Sequence, residues 1–254
     1  MDAPYILSET PWKAVQNISY QIAILPWGAT EAHNLHLPYG TDCIETEYIA
    51  RQAARKAWSN GTQVVVLPVI PFGVNTGQLD IPLTMNMNPS TQYKILEDVL
   101  ISLSHHNISK LIIFNGHGGN DFKTLIRELQ PRFPEIFMVQ LNWYEVVPLK
   151  DYFEEEGDHA NEMETSVMMS IAPELVLPLG EAGTGKAKKA RFKARREGWV
   201  WFPRAWTKVT DDTGIGNPKK ASVEKGTKYL DAITDKIASF FVEFGSTEVE
   251  EIYE

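Results

Sequence analysis

The chain has 254 residues, of which 43% are hydrophobic and 22% are charged, a balance that excludes intrinsic disorder and fibrous architectures. Its formal net charge of -9 at pH 7 opposes general attraction to nucleic acids and to anionic membranes. No run approaches the roughly 18 to 20 uninterrupted apolar residues that a membrane-spanning helix requires, so we expect no membrane partner.

The first half of the chain alternates short apolar runs with longer stretches of helical periodicity. Strands are predicted at residues 21–26, 63–70, 110–115 and 136–141, and helices at residues 42–58, from Asn88 onward, and at 122–129. Asn88 and Pro89 are typical of an N-cap and a first helical position. After residue 141 we predict only a short helix at 162–170 and a long one at 219–244. This order indicates an α/β fold with a parallel sheet, in one domain spanning residues 1–254.

Two features bear on the cellular location. Cys43 is the single cysteine, so no intramolecular disulfide can form, which suits a reducing compartment. The N-terminal stretch carries Asp2 and Glu9 where a signal peptide needs basic residues and then an apolar run. We therefore expect a cytoplasmic protein.

Three polar clusters follow predicted strands. They occupy residues 27–42 after the first strand, 115–120 after the third and 158–166 after the fourth. In open parallel sheets, ligands bind beyond the carboxyl ends of the strands, where such loops converge. We expect these clusters to form one site.

The residue types in the first two clusters suit metal ligation. Glu31 and His33 are two apart, so in an extended segment their side chains leave the same face. Asp42 lies at the start of a predicted helix, where the dipole favours a carboxylate whose two oxygens can bridge two cations. His117 lies in a glycine-rich turn that allows close approach. Imidazole and carboxylate ligands without cysteine favour zinc, manganese or iron over calcium.

Other interpretations of these clusters exist. Taken singly, each histidine or aspartate is more often a helix cap, a loop residue or a satisfied core residue. The run GHGGN at residues 116–120 could cradle a phosphate, but the dinucleotide fingerprint and the P-loop lysine are both missing. Three clusters after successive strands favour the metal site.

Four motifs, in this order, resemble those of the creatininase (creatinine amidohydrolase) family. They are PWGATEAHNLHLPYGTDCIETE, FNGHGGN, DHANEMETS and GIGNPKKASVEKG, and the similarity extends over residues 21–226. The resemblance implies a three-layer α/β/α domain with a mostly parallel sheet, assembled as a homohexamer, with two divalent metal ions per subunit. Zinc is the expected metal, with manganese or iron as alternatives.

The resemblance also assigns roles to individual residues. The metal ligands it implies are Glu31, His33, Asp42, His117 and Glu164, with Asp42 bridging the two ions. His159 matches a histidine implicated in proton transfer, so His159 and Glu164 are the expected catalytic residues. His159 and Glu164 are five apart, about 140° around a helix, so we predict that His159 precedes the helix.

Several neighbouring residues are left with open roles. Glu162 is a competing ligand, although an exposed acid in the first helical turn is its favoured interpretation. His36 is interpreted either as a hydrogen-bond donor to a metal ligand or as a residue that contacts the substrate. His105 and His106 end a predicted helix and are expected to face solvent.

A basic and aromatic stretch is not explained by the metal site. Residues 186–196 hold seven basic residues, and Trp199, Trp201, Phe202 and Trp206 follow. Basic residues with aromatics can bind nucleic acid, but this acidic chain has no recognised nucleic-acid motif. We favour a loop that packs against a neighbouring subunit or closes over the site, because aromatic residues and arginine favour interfaces.

The expected function is hydrolysis of the C–N bond of a small amide, cyclic amide or formamide. In the creatinine-cleaving enzymes an acidic metal ligand follows two positions after the histidine of the second motif, whereas this chain has Gly119. Creatinine is therefore left open as the substrate. A dinuclear-metal phosphoesterase and a non-catalytic, metal-stabilised binding or assembly protein are the alternatives.

Overall fold

A single parallel sheet forms the centre of the protein in a computed structural model that describes residues 4–253. Its strands are β1 (Ile22–Trp27), β2 (Val64–Val66), β3 (Lys110–Asn115) and β4 (Phe137–Asn142). They pair in the order β2-β1-β3-β4, and every pairing is parallel. The predicted α/β class and parallel sheet are confirmed.

The helices range from a single turn to 24 residues in length. In chain order they are α1 (Trp12–Val15), α2 (Thr41–Ser59), α3 (Pro89–His105), α4 (Lys123–Leu129), α5 (Glu162–Ile171), α6 (Lys193–Arg196), α7 (Trp206–Val209) and α8 (Val223–Ser246). Within residues 4–253, no helix combines the length and apolar character needed to cross a membrane.

The alternation of side chains along the strands creates two cores. Ile22, Ile24 and Phe114 face one side, where α2, α5 and α8 pack against them. Leu25 and Ile113 face the other side, which α3 and α4 cover. Because successive strand residues point to opposite faces, each strand contributes to both cores. The result is the expected three-layer α/β/α arrangement.

Two predicted elements differ from the structure by more than one residue at an end. The strand predicted at 63–70 is limited to Val64–Val66, because the next residue of β1 that would donate to it, Pro26, has no N–H. The chain still runs beside β1, since Leu67 N donates to the carbonyl of Ile24 (2.9 Å). The helix predicted from residue 219 begins at residue 223, where Ser222 accepts a hydrogen bond from Lys225 N as the N-cap.

The order of the strands places a crevice between β1 and β3. The helix after β1, α2, covers one face of the sheet, and the helix after β3, α4, covers the other. The loops that leave these neighbouring strands therefore separate at their carboxyl ends, which is where open α/β sheets bind ligands. The first two polar clusters leave from this crevice.

Lys110, the first residue of β3, holds the end of α8. Its buried ammonium donates to the carbonyls of Phe244 (2.7 Å), Gly245 (3.1 Å) and Thr247 (2.7 Å). These carbonyls lie at the helix C-terminus, where the last carbonyl groups have no N–H partner within the helix and a positive charge is favourable.

We expect Lys110→Met, which keeps the aliphatic stem, to lower the free energy of unfolding by about 2 kcal/mol through the loss of these hydrogen bonds. Urea denaturation compared with wild type is the measurement. Lys123→Met, at the exposed start of α4, is the control and should change stability little. Equal stability of Lys110→Met and wild type would show that the ammonium contributes nothing net.

Candidate metal centre

The three polar clusters converge beyond the carboxyl ends of β1 and β3. Six buried side chains meet there: Glu31, His33, Asp42, His117, His159 and Glu164. Their nitrogen and oxygen atoms form three groups suited to a metal ion, namely Glu31–Asp42–His117, His33–Asp42–Glu164 and Glu31–His33–His159, with ligand atoms within 4.8 Å of one another. The structure thus brings every sequence-predicted site residue into one cluster.

Asp42 lies at the middle of this cluster. It occupies the first turn of α2, and its Oδ1 is 2.9 Å from Nε2 of His33. Its other oxygen, Oδ2, is 3.0 Å from Nδ1 of His117, which is also 3.1 Å from Oε1 of Glu31. One carboxylate therefore faces two imidazoles, and the first two groups share it. Two cations held by these groups would share Asp42 as a ligand.

Each of the three histidines is anchored by one ring nitrogen. Nδ1 of His33 donates to the carbonyl of Glu31 (3.1 Å), and Nε2 of His117 donates to that of Val74 (3.1 Å). Nε2 of His159 donates to the carbonyl of Ala32 (2.8 Å). A carbonyl only accepts, so each anchored nitrogen carries a proton, and the other ring nitrogen is turned toward the carboxylates. Metal-ligating histidines are oriented in this way.

The third cluster is positioned by the cap of α5. Asn161 is the N-cap, and its Oδ1 accepts from the main-chain N–H of Met163 (3.0 Å) and Glu164 (3.1 Å). His159 precedes the helix, as predicted, and exchanges two main-chain hydrogen bonds with Ile215 (3.2 and 2.8 Å). Ile215 belongs to the GIGNPKKASVEKG motif. Through Ile215 that motif contacts His159, which the sequence alone did not reveal.

The charges of the cluster are balanced internally. Among residues 4–253, no Lys or Arg forms an ion pair with Glu31, Asp42 or Glu164. Burial opposes charge on His33, yet the carboxylate of Asp42 raises the pKa of His33 to about 10. Burial, and then the charge of His33, lower the pKa of His159 to about 4. Burial raises the pKa of Glu164 to about 7.

The donor set fits divalent cations. Oδ2 of Asp42 is buried and makes no hydrogen bond with any described residue, although it lies close to His117. Buried charges in proteins are paired or coordinate metals. Imidazole and carboxylate donors without a thiolate suit zinc, manganese or iron. The contacts in this cluster therefore suit divalent cations of this kind.

Glu162 belongs to none of the three groups, and its carboxylate is engaged elsewhere, which argues against its candidacy as a ligand. Its carboxylate accepts from the main-chain N–H of Glu154 (2.9 Å) and Glu155 (2.8 Å) and pairs with Lys225. The favoured interpretation as an exposed acid is wrong, because Glu162 is fully buried. It anchors the acidic loop before α5.

The remaining histidines lie outside the three groups. Nε2 of His36 contacts the hydroxyl of Thr165 (2.9 Å), and burial, followed by the charge of His33, lowers the pKa of His36 to about 4. Thr165 is not one of the proposed ligands, so both predicted roles of His36 stay predictions. His105 and His106 are exposed at the end of α3, as predicted.

Polar residues that sequence reasoning missed support the ligands. Gln78 is buried and donates from Nε2 to Oε2 of Glu31. Asn120 accepts from the main-chain N–H of Val74 (3.0 Å), whose carbonyl anchors His117. Asn120 belongs to the FNGHGGN motif and could have been suspected. No pattern marks Gln78, because it lies in a loop remote in sequence from every motif.

A cavity of about 840 Å³ opens onto the cluster, with Glu31, His117 and His159 among the residues that line it. The volume lies within the range of small-molecule sites. Part of the basic aromatic stretch forms its wall. Trp206 packs edge-on against His159, with ring centroids 4.6 Å apart, and the Arg204 guanidinium lies 4.9 Å from the Trp206 ring centroid. These contacts favour the interpretation that the stretch closes over the site.

Gly119 leaves no space for a side chain. A Cβ atom there would overlap both Nε2 of His117 and the carbonyl of Val74, the two partners of the hydrogen bond that orients His117. The acidic residue of the creatinine-cleaving enzymes therefore cannot occupy this position without a shift of the backbone.

We expect Gly119→Ala to lower the metal content and the melting temperature, because the overlap costs about 1–3 kcal/mol unless His117 moves. Gly118→Ala is the matched control, since a Cβ there meets nothing within 4 Å. Elemental analysis and thermal denaturation of both variants are the measurements. A Gly119→Ala protein that behaves like Gly118→Ala would show that the anchor of His117 tolerates displacement.

Sequence comparisons identify related proteins. The family model for creatininase, described as creatinine amidohydrolase, matches residues 8–241. The 3-dehydro-scyllo-inosose hydrolase of Thermotoga maritima is 28% identical over 167 residues, which cover 61% of this chain and 51% of that protein, about half of its length. The mycofactocin precursor peptide peptidase of Mycobacterium ulcerans is 25% identical over 224 residues, covering 85% and 82%.

Structural comparison gives a similar result over the whole chain. A Bacteroides fragilis protein named as a candidate creatinine amidohydrolase is 46% identical, covers 100% of both chains and superposes with a TM-score of 0.94. A manganese form of creatininase shares the fold, with a TM-score of 0.81 at 21% identity, over 96% of this chain and 99% of that one.

Proposed function

Because the chain belongs to the creatininase family, we propose that it is a metal-dependent amidohydrolase that cleaves the C–N bond of a small amide, cyclic amide or formamide. The supporting observation is the arrangement of the three histidines. Each fixes one ring nitrogen on a main-chain carbonyl and turns the other toward buried carboxylates. Such pre-orientation is what metal ligands require.

Two divalent ions would be held by different parts of the cluster. Glu31, Asp42 and His117 would hold the first ion, and His33, Asp42 and Glu164 the second. Zinc is the favoured metal, with manganese or iron as alternatives, and manganese and zinc–zinc forms of creatininases of this fold support that choice. When bound, the ions supply Lewis acidity, which activates water and polarises the substrate carbonyl.

His159 would move the proton that amide cleavage requires. Its Nε2–H is committed to the carbonyl of Ala32, so Nδ1 presents a lone pair toward the cluster, 3.7 Å from Oε1 of Glu31. With a pKa of about 4, His159 is neutral at physiological pH and can accept a proton. It would take the proton from the attacking water and deliver it to the departing nitrogen.

The substrate is not assumed to be creatinine. The Thermotoga and Mycobacterium relatives act, by their names, on an inosose and on a precursor peptide, so the family includes hydrolases with different substrates. Gly119 also removes the acidic side chain of the creatinine-cleaving enzymes. We therefore propose amide hydrolysis as the reaction and do not assign the acyl group of the substrate.

The proposal is tested by elemental analysis of the purified protein, together with turnover on cyclic ureides, lactams and formamides and on p-nitrophenyl phosphate. We expect two transition-metal ions per chain and hydrolysis of at least one amide that chelation abolishes and zinc or manganese restores. Preferential cleavage of the phosphate ester would favour the phosphoesterase alternative. Chelation that lowers only thermal stability, with no amide hydrolysed, would favour a binding or assembly protein.

The remaining proposals concern the whole molecule. We propose a single domain, assembled as a homohexamer in the cytoplasm, on the basis of the family resemblance and the single cysteine. Sedimentation equilibrium at several concentrations measures the assembly, and a mass of one or two chains would contradict the hexamer.

A further inference from the structure

Three arginines in the segment from α6 to α7 have different surroundings. Arg196 donates to the main-chain carbonyls of Ala190 (2.8 Å) and Arg191 (2.8 Å), which fixes the turn that contains α6. Arg204 is paired through both of its terminal nitrogens with the carboxylate of Asp158 (3.2 and 2.7 Å). Both guanidinium groups therefore have structural partners.

Arg195 differs from both of these arginines. Its side chain is half-buried and lines the cavity above the metal cluster. Its guanidinium lies 5.7 Å from the centroid of the Phe202 ring, and within residues 4–253 no ion pair or hydrogen bond of that guanidinium is found. A guanidinium carries five donors and no acceptor, so an anionic group that enters the cavity can accept hydrogen bonds from Arg195.

Within residues 4–253, none of the five acids that line the cavity pairs with Arg195. Asp158 is engaged by Arg204, and Asp121 accepts from the main-chain N–H of Lys123 (3.2 Å). Glu31, Asp42 and Glu164 are turned toward the histidines. The Arg195 guanidinium is therefore free to pair with an anionic group of a bound ligand.

The cavity wall around Arg195 is aromatic, so it suits a ligand that carries a flat group next to its anionic group. Phe202 lies beneath the guanidinium, and Trp201 and Trp206 line the same cavity. The cavity of about 840 Å³ is large for a small heterocycle alone.

We propose that the amide substrate carries an anionic group, a carboxylate or a phosphate, that binds Arg195 while the amide lies at the metal cluster. This inference rests on the proposed amidohydrolase function and names the class of its substrate. A planar guanidinium binds either anion through two parallel hydrogen bonds, and Phe202 holds the plane from one side. Arg195 would be a specificity residue rather than a catalytic one.

The test uses three benzamides that differ only at one end: N-benzoylglycine, the phosphate monoester of N-benzoylethanolamine, and neutral N-benzoylethanolamine. Their affinities for the purified holoenzyme are measured by calorimetry, with wild type, Arg195→Ala and Arg195→Lys. Arg191→Ala is the matched control, because Arg191 lies just before α6, is exposed and does not line the cavity. Turnover of each benzamide is measured in parallel.

We expect wild type and Arg191→Ala to bind at least one anionic benzamide about tenfold or more tightly than the neutral one, as a charge-assisted hydrogen bond allows. Arg195→Ala should abolish this preference and Arg195→Lys should retain part of it. The tighter of the two anions identifies the group. Equal affinities in wild type, including failure to bind any of the three, would overturn the inference, as would a preference that survives in Arg195→Ala.

The turnover data separate this inference from the function on which it rests. A charge preference that depends on Arg195, without hydrolysis of any amide in the wider panel, supports the anion site and contradicts the amidohydrolase. Amide hydrolysis that chelation abolishes, with no effect of Arg195→Ala on affinity, supports the amidohydrolase and contradicts the anion site.

Discussion

Replacing Asp42 with asparagine is expected to remove both metal ions and to lower turnover by a factor on the order of 10³ or more. Asp42 belongs to both of the proposed ligand groups, and its two oxygens face His33 (2.9 Å) and His117 (3.0 Å). Asparagine keeps the shape of the side chain but replaces one oxygen with an NH₂ group that cannot ligate. Elemental analysis and turnover of Asp42→Asn are the measurements.

Two further variants show whether the loss reflects bridging. Glu164→Gln changes a ligand found only in the group with His33 and Asp42, so it should cost one ion rather than two. Asp121→Asn, at the exposed rim of the same cavity, should retain both ions. An Asp42→Asn protein that still binds two ions per chain would show that Asp42 is not shared between them.

The fold could be predicted from the sequence where local pattern and tertiary packing agree. The run KLIIFN forms β3 over Lys110–Asn115, the predicted residues, because it is central and both of its faces are buried. The run QVVVLPVI is also apolar, yet only Val64–Val66 forms a regular strand, since β2 lies at an edge of the sheet and Pro26 of β1 has no N–H to donate to the carbonyl of Leu67. Hydrophobicity alone does not separate these two cases.

The ligand cluster could be predicted because its side chains lie close to recognisable motifs. Glu31 and His33 both belong to the cluster, as their spacing of two residues in an extended segment predicts. The turn that follows them could not be predicted: Asn34 has φ of 54°, and Leu37 N donates to the carbonyl of His33 (3.3 Å).

The support for the cluster could not be predicted because much of it is main chain. The carbonyls of Glu31, Ala32 and Val74 orient the three histidines, and a carbonyl is present at every position of a sequence. The burial of Glu162 was missed for a similar reason, because two of its partners are main-chain N–H groups of the preceding loop. Such contacts become visible only when the chain is folded.

His159 and His33 make a matched pair for separating proton transfer from metal ligation. Their rings lie 4.2 Å apart, both are buried, and each is anchored on a main-chain carbonyl. The free nitrogen of His33 faces the shared carboxylate of Asp42, whereas that of His159 lies farther from its nearest carboxylate, 3.7 Å from Glu31. The same substitution at the two positions should therefore have different consequences for the metal.

We expect His159→Ala to retain both ions but to lose about 10²- to 10⁴-fold in kcat, because the departing nitrogen no longer receives a proton. His33→Ala should lose an ion as well as activity. Metal content, kcat and KM of the two variants are the measurements. Unchanged turnover of His159→Ala would refute the proton-transfer role, and loss of an ion from that variant would assign His159 to the group with Glu31 and His33, as a ligand.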